Sequence, residues 1–201
     1  MGIKVTSLTE KEIEAIGEAF AGHPYPADDQ GMAMLFPDRE SLKAYICGYV
    51  RAALKCNWLY TTSEKHEAFV VFCHTQDKHR FRFLLSLVPV IFRTMGFKDA
   101  MRYMKLVGRS GKSYHEELAK SKKPHVYVGL LTVTKPWQGQ GYMRRAIDIA
   151  YEEGRRRHCP VVLETDAKLK RDKYVSVGMI CVKERRCTDN VSMFDMVKYF
   201  D

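Results

Sequence analysis

No C-x-x-C pair occurs among the six cysteines, and no histidine stands at ligand spacing to any of them. That excludes the common zinc frameworks, so no metal is expected, and the cysteines read as free thiols of a reducing compartment. Long apolar runs are missing too. The longest, residues 83–92, contains Pro89 and is far too short to span a bilayer. The opening residues, 2–9, mix charged and apolar side chains without a signal-peptide core, so the cytoplasm is the expected compartment. There is no internal repeat and no low-complexity tract. What is present is ordinary for a globular chain: 201 residues, 46% hydrophobic and 28% charged, which suits one domain spanning 1–201. The net charge of +9 raises nucleic-acid binding, but lysine and arginine occur in every part of the chain. A bland basic surface is the expectation, with no nucleic-acid and no membrane partner.

Residues 126–151 organise the rest. Residues 126–133 form an apolar, β-branched run that predicts a buried strand. Pro136 ends it, because proline has no N–H to give a sheet ladder. Gln138-Gly139-Gln140-Gly141 then makes a short loop, and Met143, Ile147, Ala150 and Gly154 fall on one helical face. A strand, a glycine-bearing turn and a helix start aim free N–H groups and a positive dipole end at one point, which suits a phosphate. Two phosphate-binding patterns fail on spacing. A dinucleotide fingerprint needs a third glycine where Arg144 stands, and a P-loop needs a lysine that is not there.

The loop resembles the acetyl-CoA loop of the GNAT superfamily, Q/R-x-x-G-x-G/A after a strand: Gln138, Gly141 and Met143 hold the signature positions, with Met143 in place of a small residue. Downstream, a second strand is predicted at 161–165, and the step from Tyr174 to Gly178 is similar to the family's tyrosine four residues before Gly-Phe, with Met179 replacing Phe. Leu163-Glu164-Thr165 and the Tyr-x-x-x-Gly step look most like the puromycin N-acetyltransferase branch. The resemblance implies an α/β GNAT fold, with a mixed central sheet of about six or seven strands flanked by helices.

Elsewhere, residues 3–5 read as a first strand, and Thr9 with Glu12 as a capping box opening a helix to about His23. A loop with Asp28 and Asp29 leads through an apolar patch at 32–36 to Asp38, which can cap a helix carrying Leu42, Ile46, Tyr49 and Ala53 on one face. Residues 58–61 and 68–73 predict an antiparallel pair. Residues 76–122 form an insertion between the third and fourth strands, read as helices at 81–95, 97–107 and 114–119 broken at Gly96 and Gly108. A wall of the acceptor pocket and a dimer contact or plain packing are equal expectations for it. A polar stretch precedes Tyr174, and strands at 179–186 and 191–199 flank a turn at 188–190.

The resemblance further implies acetyl-CoA as co-substrate. It would be held by Gln138, Gly139, Gln140, Gly141, Tyr142, Met143 and Arg144, and by strand N–H groups at Leu131, Thr132 and Val133. Lys135, Arg144 and Arg145 flank the place where its phosphates would lie. Tyr174 would be the general acid. Glu164 is the nearest carboxylate for a general base, with ordering of the strand end as its alternative; His115 and His125 are weaker candidates. The function implied is N-acetyl transfer to a primary amine of a small molecule. The alternatives are a non-catalytic acyl-CoA-binding or adaptor module, or a protein or peptide N-acetyltransferase. A homodimer is compatible with all of these.

Overall fold

The computed structural model describes residues 2–26, 29, 31–188 and 191–200. Asp28 and the 189–190 turn therefore lie outside the described residues. Seven strands form one sheet: β1 (Ile3–Lys4), β2 (Leu59–Thr61), β3 (Ala68–His74), β4 (Val126–Val133), β5 (Val161–Thr165), β6 (Ile180–Thr188) and β7 (Val191–Lys198). Their order is β1-β2-β3-β4-β5-β7-β6, and β4 with β5 is the parallel pair. The other neighbours are antiparallel.

Among the described residues, six helices flank the sheet. Helix α1 (Glu10–Ala21) opens on the expected capping box, in which Glu12 N–H donates to Thr9 Oγ1 and Thr9 N–H to Glu12 Oε2. Helix α2 (Arg39–Lys55) is capped by Asp38, which accepts from Ser41 N–H at 2.7 Å. The apolar patch before it is a 3-10 turn, Gly31–Leu35. Helices α1, α2 and α3 (Arg80–Arg109) share one core cluster, with Ile16, Ile46, Val50 and Phe69 at its centre. Helix α5 (Tyr142–Arg156) covers the other face through Ile147 and Ala150, on a moment that buries one stripe of an otherwise charged helix. Among the described residues, no helix is long and apolar enough to cross a membrane. All six cysteines are free thiols.

The insertion is helical, and its breaks fall at or next to the expected glycines. Gly96 turns to φ 72° and ψ 164° and kinks α3, and the helix ends at Arg109, one residue past Gly108. The first half of α3 lies close on α2 because position 48 is glycine: a Cβ there would stand 2.4 Å from Val90 Cγ1. Helix α4 (Tyr114–Lys120) starts on a second capping box, Ser113 with Glu116. One helix escaped the sequence reading: α6 (Lys168–Ser176) occupies the polar stretch.

A buried ionic cluster ties the insertion to the far side of the sheet. Arg185 and Asp195 are 2% and 1% exposed, and the Arg185 fork bonds both Asp195 oxygens at 3.1 Å. The same guanidinium reaches Glu164 on β5, and Ser110 and the Gly111 carbonyl at the end of α3. Asp195 also accepts from Tyr114 N–H at 2.9 Å, which positions α4. Removing one partner of such a cluster leaves an uncompensated buried charge. Arg185→Met is therefore expected to lower unfolding stability by about 3–5 kcal/mol in urea titration. A loss below about 1 kcal/mol would show the cluster to be dispensable.

Candidate functional site

Strands β4 and β5 run together for three residues only, from Val126↔Val161 to Val128↔Leu163. Beyond that they part. On its other edge, β4 skips a step: Val71 pairs with Leu130 and Phe72 with Val128, so Gly129 bulges. A Cβ at Gly129 would lie 2.0 Å from the Tyr49 hydroxyl, so glycine is what lets α2 bring that ring against the strand. The parting strands open a groove of about 620 Å³.

One half of the groove is built by the β4 end and the loop after it. Leu131, Thr132 and Val133 line it, and Thr132 Oγ1 is buried with no hydrogen-bond partner among the described residues. Gly139 and Gly141 take φ of 76° and 79°, and the space where their Cβ atoms would sit is open. Gly141 is the N-cap of α5 and offers no side chain, so the first N–H groups of that helix face outward uncapped. Such a helix start favours an anion. An open cradle, a bare helix start and an orphaned strand hydroxyl together fit a long, phosphate-bearing ligand such as coenzyme A.

Of the expected loop residues, Gln138, Gly139, Gly141, Tyr142 and Met143 line the groove. Gln140 and Arg144 are not among the lining residues: Gln140 donates to the Pro136 carbonyl at 2.9 Å, and Arg144 to the Ser176 carbonyl at 2.8 Å. The flanking cations are likewise engaged, Lys135 by Glu18 at 2.8 Å and Arg145 over the Tyr142 ring.

Tyr174 reaches the groove from α6. The spacing to Gly178 has a local cause. Tyr174 C=O accepts from both Val177 and Met179 N–H, which requires the chain to reverse at Gly178 with φ 90°. Burial, with Asp166 and Tyr151 adding to it, pushes the Tyr174 phenol well above its usual range, so it stays protonated. Among the described residues its hydroxyl has no hydrogen-bond partner, which leaves it available to a ligand.

The other half of the groove is largely aromatic, with Phe20, Tyr45, Tyr49 and Tyr127. Glu164 and His23 can each take a proton there. Burial raises the Glu164 carboxyl above its usual range, opposed by the Arg185 cation that holds it. His23 was not singled out by the sequence, because one histidine just past a helix end carries no pattern. Burial first, then Lys170 and Lys173, lower its pKa to about 4, and its buried Nε2 has no partner among the described residues. The imidazole is thus neutral near pH 7 and can accept a proton.

His115 and His125 do not line the groove. They bond each other at 2.7 Å, His125 Nδ1 meets the Lys123 carbonyl and Arg80 meets His115 Nε2, so all four ring nitrogens are spoken for. Burial holds both below the usual histidine range, His115 at about 3. None of the described residues 76–122 lines the groove either. Of the two expectations for the insertion, plain packing fits the described residues: α3 lies on α2, and α4 packs through Leu118 on Val162 and Val197 of the sheet.

No protein-family model matches the sequence, and no curated protein does. Solved structures do match in fold. The Drosophila melanogaster polyamine N-acetyltransferase aligns over 100% of this chain and 99% of its own, at TM-score 0.60 and 13% identity. An agmatine N-acetyltransferase aligns over 100% and 99%, at 0.61 and 12%. Arylalkylamine N-acetyltransferase 2 from Aedes aegypti aligns over 97% of each chain, at 0.54 and 14%. The likeness is one of architecture, and this chain has the GNAT acetyltransferase fold.

Proposed function

We propose that the chain moves an acetyl group from acetyl-CoA to a primary amine of a small molecule, by direct transfer with both substrates bound. The observation that carries this reading is the parting of β4 from β5 beside an uncapped helix start, with the free Tyr174 hydroxyl in the same groove. Acetyl-CoA, when bound, supplies the acetyl thioester. Uncapped N–H groups at the start of α5 hold its phosphates, and the unpaired edge of β4 at Leu131, Thr132 and Val133 meets its arm and polarises the carbonyl. Glu164 or His23 accepts the proton that the amine must lose. The nitrogen then bonds to the carbonyl carbon as the carbon–sulfur bond breaks, and Tyr174 donates its proton to the departing sulfur. No cysteine is needed as a nucleophile.

The aromatic half of the groove suits an acceptor with an apolar body better than a bare polycation. A catalytic role also explains Tyr174 better than a binding module does, since a module needs no unpartnered phenol. The puromycin N-acetyltransferase likeness stays within this proposal, carried by Leu163-Glu164-Thr165 and the Tyr174–Gly178 step.

Gly141→Leu is expected to weaken acetyl-CoA binding about tenfold or more. A side chain there meets a left-handed backbone cost of about 1–2 kcal/mol and projects into the cradle. Calorimetric titration measures it, and an unchanged affinity would refute the loop assignment. Tyr174→Phe keeps the ring and removes the hydroxyl. Turnover is expected to fall about 10²-fold with acetyl-CoA affinity retained. Near-normal turnover would make Tyr174 a packing residue.

A further inference from the structure

Helix α3 is apolar on two opposite faces. Phe83 and Leu87 are buried against the domain. Opposite them, Phe81, Leu84, Leu85, Val88 and Phe92 fall within an arc of about 100° at helical spacing. These five are open to solvent, from 36% at Phe92 to 71% at Phe81. The stripe continues past the kink, where Phe97 stacks on Phe92 at 5.6 Å and Met101 follows one turn on. A helix apolar all round is normally buried all round.

The charge of the chain is gathered in the same place. Residues 78–112 hold nine lysines and arginines against one aspartate, eight of the nine net positive charges of the whole protein. Lysine and arginine do occur throughout, 24 of the 33 outside this segment, but there 23 acidic residues nearly balance them, so the excess positive charge is carried by 78–112. Arg82, Arg93, Lys98, Arg102, Lys105 and Arg109 are exposed. No ion pair holds any of these six among the described residues.

We propose that this outward face of α3 docks on an anionic lipid surface, lying in the headgroup region without crossing it. Bulky apolar side chains flanked by exposed cations are the two contacts such an interface takes, apolar tips in the acyl boundary and cations among anionic headgroups. The competing occupants fit less well. A second copy on the same face sets one polybasic segment against another. Nucleic acid meets the cations but leaves Leu84, Leu85 and Val88 in water. The groove stays open in the docked state, because no described residue of 76–122 lines it.

Sedimentation of the full chain with lipid vesicles tests this. Vesicles of phosphatidylcholine with phosphatidylserine are expected to carry the protein down, and phosphatidylcholine alone is not. Raising salt to about 0.5 M shrinks the screening length and is expected to release most of it. Leu85→Ser with Val88→Ser, and separately Arg82→Glu with Arg93→Glu, are each expected to reduce binding at least about tenfold. Far-UV circular dichroism and the urea unfolding midpoint report that both variants are folded. Failure to bind anionic vesicles overturns the proposal. So does anionic binding that the serine variant leaves unchanged, since charge alone would then explain it. A dimer in analytical ultracentrifugation that the serine variant dissolves assigns the face to a second copy, and RNA binding that the serine variant weakens assigns it to nucleic acid; either overturns it as well.

Discussion

The parting of β4 from β5 after Val128 and Leu163 is the constraint on which the site depends. Parallel strands that stay paired bury their backbone groups in each other, and no ligand can enter between them. Here the pairing stops after three residues, and the bulge at Gly129 bends β4 as it leaves. Backbone donors and acceptors that a continuous sheet would use are thereby offered to a ligand. Everything else in the groove is arranged around that gap: α5 starts at its lip, α6 brings Tyr174 across it, and α2 fills its floor with Tyr49.

The sheet end of the design was legible because it is written in local chemistry. Residues 126–133 and 161–165 are β-branched runs with clear stops, and their observed bounds agree with the expected ones. Gly139 and Gly141 were recognisable as loop residues, and both adopt conformations that glycine takes without cost. Helix α6 was not legible. Its sequence, KLKRDKYVS, carries no apolar period and buries only Tyr174 in part against the core, so only packing against the sheet reveals it. Gly96 and Gly108 looked alike as breaks. They act differently: Gly96 takes positive φ and kinks α3, while the helix simply ends one residue past Gly108, with the positive φ at Gly111.

The acid–base groups divide in the same way. Tyr174 could be found by its spacing, whereas His23 becomes visible only through its burial and its unpartnered nitrogen. His115 and His125 stood out as residue types, yet each satisfies the other, and the pair serves to fasten the insertion. Glu164 sits between these cases. It faces the groove while Arg185 holds it, so one carboxylate belongs both to the site and to the buried cluster that ties β5, β6 and β7 together.

Amide hydrogen exchange with and without acetyl-CoA tests the central claim most directly. The account predicts that the ligand slows exchange at Leu131 and Val133, whose N–H groups face the open edge, and at the first turn of α5, while α3 is unaffected. Unchanged exchange along the end of β4, with the ligand demonstrably bound, would contradict it.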